Sequence, residues 1–258
     1  MLQIYPVYAF NDNYIWILHN EKYAVVVDPG IAKPVIDYLN LKNLQLTALL
    51  ITHHHNDHTG GIIELLEKFN VPVYGPQNES IATLTHLVKE GDEVFLKELC
   101  LTLNVLDIPG HTVGHVAYYY GKHETRMLFC GDTLFACGCG RVFEGTVQQM
   151  YQSLQKLADL PAETLVYCAH EYTLKNIQFA RTVEPGNLKL EALENTVKVL
   201  RSQNLPTIPT TILKEKMTNP FLRCDHPEII QYVCKHLGKK LSNPVSVFST
   251  LRSLKDNF

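Results

Sequence analysis

The segment THHHNDH, residues 52–58, has the residue types and the spacing of a metal site. Side chains alternate along an extended chain, so His53 and His55 point the same way while His54 points the opposite way. The turn that follows brings Asp57 and His58 round as a second, adjacent set. Neutral imidazole and carboxylate are ligands that suit zinc or iron. We therefore predict a metal site here, with His54 outside the ligand set.

The flanking sequence places this segment on a turn between a strand and a helix. The apolar run 48–51 indicates a buried strand, and residues 62–69 have the pattern of an amphipathic helix. Such turns are where α/β folds place their ligands. The alternative is a surface cluster of histidines without a ligand. The position of the motif between a buried strand and a helix argues against that alternative.

Three further candidate ligands follow other predicted strands. His111 lies on a glycine-flanked turn, Asp132 follows a glycine at a strand end, and His170 follows an apolar strand. With the first segment they make five histidines and two aspartates. One zinc needs about four ligands, so this set is too large for one metal and fits two that share a bridge. Such a site requires that these turns meet in space.

Several neighbouring residues have two interpretations each. Asp28 could form a turn or could orient a ligand histidine, and the sequence favours neither. His115 opens a strand and is better interpreted as structural. Cys137 and Cys139 are better interpreted as small buried thiols than as ligands, and an oxidised pair remains the alternative.

Composition limits the class of protein. The chain has 258 residues, of which 46% are hydrophobic, so we expect a folded core. The formal net charge of -3 argues against general nucleic-acid binding. No apolar run approaches a membrane span, and the N-terminus lacks the pattern of a signal peptide. Seven cysteines without framework spacing indicate reduced thiols and a cytoplasmic location, although a chain that has lost a targeting segment would look the same.

The character of the chain changes near Thr173. Strands with interspersed helices come before it, and helical segments separated by Pro/Thr-rich breaks come after it. Predicted strands cover residues 2–8, 14–19, 23–28, 71–74, 100–108, 116–120, 126–130 and 164–169, and predicted helices cover 33–40, 147–160, 174–181, 188–204, 227–237 and 245–254. We therefore predict two domains, 1–173 and 174–258, with the second packing on the first and capping the site.

The motifs THHHNDH, PGHTVGH, GDTLF, CGCGR and HEYT, in this order, resemble the metallo-β-lactamase superfamily. The segments NPFLR (219–223) and LRSLKDNF (251–258) are similar to the C-terminal helical region of the glyoxalase II, or hydroxyacylglutathione hydrolase, family within it. The resemblance spans essentially the whole chain. It implies an α+β fold, a four-layer αββα sandwich with a C-terminal helical domain.

The resemblance also implies two divalent metal ions per chain, with zinc as the first candidate and iron or manganese as alternatives. The implied ligands are His53, His55 and His111 for one metal, Asp57, His58 and His170 for the other, and Asp132 as the bridge. A hydroxide shared by the metals would be the nucleophile. Asp57 would orient that hydroxide as well as ligating.

The implied reaction is hydrolysis of S-D-lactoylglutathione and related S-2-hydroxyacylglutathione thioesters to glutathione and D-lactate, the second step of methylglyoxal detoxification, by a monomer. Arg252 and Lys255 share a helix face and would bind the glycine carboxylate of glutathione. The alternative is a solvated helix face. Arg141 and Tyr172 resemble further glutathione contacts. Phe143 stands where many relatives carry tyrosine, so a main-chain contact at most is expected there.

Three other functions fit parts of the pattern. A persulfide dioxygenase would use one iron and redox chemistry, and a nuclease of this fold would carry a larger basic surface. A non-catalytic metal-binding protein would keep the ligands without turnover. Two metals per chain and oxygen-independent thioester cleavage would separate the hydrolase from all three.

Overall fold

The computed structural model describes residues 1–122, 125–241 and 243–258. Two six-stranded sheets organise the chain. The first sheet runs in the order β1 (Gln3–Ala9), β2 (Asn13–His19), β3 (Tyr23–Val27), β4 (Gln45–Leu50), β5 (Val73–Pro76) and β6 (His86–Val88). The second runs in the order β14 (Thr210–Thr211), β13 (Leu165–Tyr167), β10 (Met127–Phe129), β9 (Val116–Tyr120), β8 (Leu101–Asp107) and β7 (Glu93–Leu96). A short hairpin joins β11 (Leu134–Phe135) to β12 (Gly138–Cys139).

Helices flank the sheets and fill the C-terminal region. They are α1 (Ala32–Lys42), α2 (Asn56–Thr59), α3 (Ile62–Lys68), α4 (Val147–Ala158), α5 (Thr173–Val183), α6 (Leu188–Ser202), α7 (Ile212–Thr218), α8 (Pro227–Leu237) and α9 (Pro244–Asp256), with 3₁₀ turns at Lys97–Leu99 and Pro220–Leu222. Helix α4 begins with a capping box between Thr146 and Gln149. Across the described ranges, none of the helices combines the length and the apolar composition that crossing a bilayer requires.

Alternation along β2 shows how the layers form. Ile15 and Ile17 pack into the cluster that contains α1 and α3, while Trp16 and Leu18 pack into the core shared with the second sheet. Both faces of this strand are covered, so it is buried along its whole length, and its central residues 15–18 are all apolar. Helix α4 contributes to the same core as the second sheet. The predicted α+β class, with facing sheets, flanking helices and a C-terminal helical region, is confirmed.

The C-terminal segment packs on the sandwich at several points. Helices α5 and α6 enclose Cys137 of the β11–β12 turn in a small apolar cluster. Helix α9 packs against α4 and α8. Strand β14 pairs with β13, with Thr211 opposite Leu165, so the chain rejoins the second sheet after α6. The division into 1–173 and 174–258 stays a prediction about units of the chain.

Predicted and observed elements agree within a few residues for the longer strands and helices. The sequence did not identify β6, β7, the β11–β12 hairpin, β14, α2 or α7. The hairpin strands are two residues each, too short to show alternation. Helix α7 does carry a local signal, because the hydroxyl of Thr211 accepts from the Lys214 amide as an N-cap.

The side chain of Glu215 joins α7 to the hairpin and to β14. It accepts hydrogen bonds from the Cys137 amide at 2.7 Å, the Thr210 hydroxyl at 2.7 Å and the Asn219 side-chain amide at 3.0 Å. The residue is fully buried. Burial raises the pKa of this carboxyl, and the three hydrogen bonds oppose that rise. Its network therefore ties the C-terminal segment to the sandwich.

We predict that Glu215→Ala lowers the free energy of unfolding by about 2–4 kcal/mol, because three buried donors lose their acceptor. Urea denaturation measures the change. Glu67→Ala, at an exposed position of α3, serves as the control and should stay within about 0.5 kcal/mol of the wild type. Equal effects of the two substitutions would show that the buried network contributes nothing particular.

Candidate metal centre

The candidate ligands lie on loops that follow strands of both sheets. Residues 53–58 follow β4 and enter α2, and His111 follows β8. Asp132 follows β10, and His170 follows β13. The structure brings all of them together into one ligand cluster, which consists of two sets of side chains and a carboxylate between them.

The first set consists of three imidazoles whose nitrogens converge. The Nε2 atoms of His53 and His111 each lie 3.0 Å from Nδ1 of His55. Burial, and then the neighbouring imidazoles, lower the pKa of His53 and His55. Burial also lowers the pKa of His111. These rings are therefore neutral, which is the form of histidine that binds metals.

Outer contacts determine where the lone pairs point. Nδ1 of His111 lies 2.8 Å from the carbonyl oxygen of Arg141, which only accepts, so this nitrogen carries the proton. The Thr52 hydroxyl donates to Asp28, so Nδ1 of His53, 3.0 Å from that hydroxyl, is the donor in their contact. In both rings Nε2 is left with a lone pair directed into the cluster.

The second set comprises Asp57, His58 and His170. Oδ2 of Asp57 lies 3.5 Å from Nε2 of His58 and 3.5 Å from Nε2 of His170. The side-chain amide of Asn13 donates to the same oxygen at 2.9 Å. Burial acts to raise the pKa of Asp57, but the hydrogen bond and charge of His58 outweigh it and hold that pKa below its ordinary value.

Two carboxylates outside the set orient its imidazoles. Nδ1 of His58 lies 3.1 Å from Asp28, and Nδ1 of His170 lies 2.8 Å from Asp12. Of the two interpretations of Asp28, its contacts support the orienting role. Asp12, on the β1–β2 turn, was missed by the sequence argument. Burial opposes protonation of His170, but the charge of Asp132 and the hydrogen bond to Asp12 raise its pKa to about 9.

The carboxylate of Asp132 lies between the two sets. Its Oδ1 is 3.5 Å from Nε2 of His58 and 3.3 Å from Nε2 of His170, while its Oδ2 is 3.5 Å from Nε2 of His111. Burial acts to raise the pKa of Asp132, but the charges of His170 and His58 hold it well below the ordinary value. One oxygen therefore faces each set, as a bridging ligand requires.

Local backbone structure fixes Asp132. Its amide donates to Nε2 of His115 at 3.1 Å, and Nδ1 of that ring lies 3.1 Å from the Val116 carbonyl. His115 therefore has the structural role expected for it. Gly131 adopts a φ of 47°, and a Cβ there would lie 2.4 Å from the Thr52 hydroxyl, so only glycine fits before this aspartate.

The cluster fits divalent cations. Nε2 of His58 and Oδ1 of Asp132 are buried and have no hydrogen-bond partner among the residues that the structure describes. Buried polar atoms without partners are rare, and a cation between them would satisfy both. Ligand atoms within 4.8 Å of one another form the groups His53/His55/His111, His53/His58/Asp132 and Asp57/His58/His170.

A cleft of about 720 Å³ opens beside the cluster. His111 and Asp132 form part of its wall. The same cleft is lined by every residue predicted to contact substrate, namely Arg141, Phe143, Tyr172, Arg252 and Lys255. It is also lined by Lys175 and Asp256, which the sequence argument did not single out. The ring of Tyr172 stacks on that of His170 with centroids 4.7 Å apart.

The two predicted carboxylate binders differ in how strongly neighbouring groups of the protein already bind their charged ends. Arg252 is buried, and its guanidinium donates to the Cys139 carbonyl at 2.7 Å and to Asp256 at 3.1 Å. Lys255 is partly exposed, and its amine makes a weak hydrogen bond of 3.4 Å to the Lys175 carbonyl. Burial, followed by the nearby Arg252 and Lys175 charges, lowers the pKa of Lys255 to about 8.

Phe143 and the two cysteines of the CGCGR motif are the remaining residues considered from the sequence. The Phe143 side chain is 61% exposed, and its amide already donates to the His111 carbonyl at 3.3 Å. All seven cysteines lie within the described residues and are free thiols. Cys137 and Cys139 are buried, and burial raises the pKa of both. Their interpretation as buried thiols therefore agrees with the structure.

Comparison with known proteins agrees with this geometry. Residues 9–170 match the sequence model of the Metallo-beta-lactamase superfamily, and residues 171–258 match that of the Hydroxyacylglutathione hydrolase C-terminus. Among solved structures, ETHE1 from Myxococcus xanthus has a TM-score of 0.66 at 26% identity, covering 99% of both chains. BLEG-1 B3 metallo-beta-lactamase has a TM-score of 0.64 at 25% identity, covering 86% of this chain and 100% of that one.

Full-length relatives narrow the family. The hydroxyacylglutathione hydrolase of Nitrosomonas eutropha is 57% identical over 258 residues and covers 100% of both chains. That of Nitrosomonas europaea is 56% identical, covering 100% of this chain and 97% of its own. The family predicted from the motifs is thus confirmed. Fold, ligand cluster and relatives together show that the chain belongs to the hydroxyacylglutathione hydrolase family of the metallo-β-lactamase superfamily.

Proposed function

We propose that this chain hydrolyses S-D-lactoylglutathione and related S-2-hydroxyacylglutathione thioesters to glutathione and D-lactate, the second step of methylglyoxal detoxification. The observation that carries the proposal is the Asp132 carboxylate, which faces a set of imidazoles on each side at the wall of a basic cleft. Relatives named hydroxyacylglutathione hydrolase, at 57% and 56% identity over the whole chain, support it.

Two divalent cations complete the proposed site. Zinc is the first candidate, and iron or manganese are alternatives because this donor set accepts all three. We assign His53, His55 and His111 to one cation, Asp57, His58 and His170 to the other, and Asp132 to both. When bound, the cations supply a water of lowered pKa and polarise the thioester carbonyl.

The protein's own groups position the reactants. The Asp57 side chain is 39% exposed, against 10% for Asp132, so it is the more accessible carboxylate for the attacking water. The Asn13 amide fixes one of its oxygens and leaves the other available. We propose that Asp57 accepts a hydrogen bond from that water and aims it at the carbonyl carbon. The thiolate of glutathione leaves readily, so a strong general acid is not required.

The basic side of the cleft is proposed to hold glutathione. The amine of Lys255 makes a weak hydrogen bond of 3.4 Å and lies 5.5 Å and 5.2 Å from the ring centroids of Phe179 and Phe258. None of these contacts neutralises its charge, so it is suited to bind the glycine carboxylate directly. Arg252 is buried in the wall of the cleft, where it contributes a positive charge and part of the shape of the binding surface. Arg141 and Tyr172 are proposed as further contacts. At Phe143 a side-chain hydrogen bond is impossible, and the phenyl ring offers an apolar surface.

We further propose a monomeric cytoplasmic enzyme whose partner is a small molecule, with neither nucleic acid nor a membrane as ligand. The net charge of -3 and the free thiols support this setting. We also propose a boundary near Thr173, where α5 begins. Residues 1–173 would carry the cation ligands, and residues 174–258 would contribute Arg252 and Lys255.

We predict that Asp132→Ala reduces bound metal below two per chain and lowers turnover of S-D-lactoylglutathione by about 10²-fold or more. Loss of a group that only supports a ligand already costs 10–100-fold in affinity or activity. Metal analysis paired with an oxygen-free hydrolysis assay measures both quantities. Asp37→Ala, at an exposed surface ion pair, is the control. Unchanged turnover in Asp132→Ala would remove the bridged site.

A second prediction concerns the charge on Lys255. With a pKa of about 8, the amine is charged below that pH and neutral above it, so kcat/KM should fall as the pH rises through about 8. Lys255→Arg keeps its charge and should not show this fall. Lys255→Gln should raise KM about tenfold near neutral pH with little change in kcat.

The pH profile is measured after subtraction of spontaneous thioester hydrolysis. If Lys255→Gln retained the same fall of kcat/KM in the same pH range, another group would be responsible, and the direct contact proposed for Lys255 would be wrong.

A further inference from the structure

A buried carboxylate that is not itself a candidate ligand contacts two of the loops that carry the ligand cluster. Glu79 lies between β5 and β6, and its side chain is 1% exposed. Its Oε2 accepts from the His54 amide at 2.8 Å and also contacts Nδ1 of that ring. Its Oε1 accepts from the Gly114 amide at 3.0 Å and from the Thr112 hydroxyl. Each carboxylate oxygen therefore contacts a different loop.

The position of these contacts along the chain gives them their importance. His54 stands between His53 and His55, and Thr112 directly follows His111. One carboxylate thus joins the two loops that supply the three converging imidazoles. A buried carboxylate is costly unless its oxygens are hydrogen-bonded, and here donors from both loops satisfy it. The carboxylate and both loops therefore depend on one another.

The other side of His54 is held in the same manner. Its Nε2 lies 3.1 Å from Glu144, and the Glu144 amide donates to the His111 carbonyl at 3.3 Å. Packing at Gly114 is close as well, because a Cβ there would lie 2.6 Å from both the Asn78 carbonyl oxygen and Cγ of Glu79. Small displacements of either loop would therefore break contacts on several sides.

We propose that Glu79 is a positioning residue that holds the loop of His53 and His55 against the loop of His111, so that this set is assembled before a cation binds. The proposal rests on the two-cation site proposed above. At most one of the two converging Nε2 lone pairs can accept a hydrogen bond from His55, so at least one of them has no partner until a cation binds. The hydrogen bonds of Glu79 offset that cost, and the cation then binds without having to order the loops.

The test is zinc binding to metal-free protein, measured by competition with a chromophoric chelator. Glu79→Gln keeps the shape of the side chain but turns one acceptor into a donor that faces the donors of a loop. We expect one of two zinc equivalents to lose about 10–100-fold in affinity while the other is retained. His170→Ala removes a ligand of the second set, so this variant should bind only one zinc ion tightly, in the first set. Adding Glu79→Gln to His170→Ala should weaken the binding of that remaining zinc ion.

Glu215→Gln is the matched control, because Glu215 is also a glutamate with a buried side chain and several hydrogen bonds, but in the α7 network. It should lower the melting temperature while both zinc affinities stay at the wild-type value. Glu79→Asp, whose carboxylate is one methylene too short to reach both loops, is the second variant and should weaken the same equivalent.

The proposal would be wrong if both Glu79 variants bound zinc with wild-type affinity. It would also be wrong if Glu215→Gln lost as much zinc affinity as Glu79→Gln, because the loss would then reflect general destabilisation. The proposed function is tested separately by thioester hydrolysis. If the wild-type protein bound two zinc ions but did not hydrolyse the thioester, the proposed function would be wrong and the role proposed for Glu79 would still stand.

Discussion

An electrostatic constraint at the ligand cluster determines how the surrounding protein must be built. Nδ1 of His55 lies 3.0 Å from Nε2 of His53 and 3.0 Å from Nε2 of His111, and it can donate a hydrogen bond to at most one of these two lone pairs. Beside them, an oxygen of Asp132 and a nitrogen of His58 are buried without a hydrogen-bond partner in the described residues. Such an arrangement is unfavourable by itself and becomes favourable only around cations. The surrounding protein must therefore hold these groups in place.

The fold holds them by fixing the outer side of four of the five imidazoles. One backbone carbonyl, one hydroxyl and two carboxylates contact the nitrogens that face away from the cluster. Glycine allows the loops to approach closely, since a Cβ at Gly30 would lie 1.8 Å from the Asp57 carbonyl oxygen and one at Gly140 would lie 1.9 Å from that of Asp132. The two sheets bring these loops to one side of the sandwich, and α9 adds the basic wall of the cleft.

Residue types and spacing were enough to predict the ligand candidates, because HxHxDH and the later histidines and aspartate fall at recognisable strand ends. The groups that support them were not predictable in this way. Asp12 and Glu79 lie in turns far from their partners in sequence, and only the fold brings them close. Similarly, the helix pattern placed Arg252 on the correct element but gave no sign that Cys139 and Asp256 would occupy its guanidinium.

Anomalous diffraction from crystals of the zinc-loaded protein can show whether two cations share the Asp132 carboxylate. We expect two anomalous peaks per chain, one beside each oxygen of Asp132, with His53, His55 and His111 around one peak and Asp57, His58 and His170 around the other. A single peak, or a second peak away from Asp132, would show that this carboxylate does not bridge two cations.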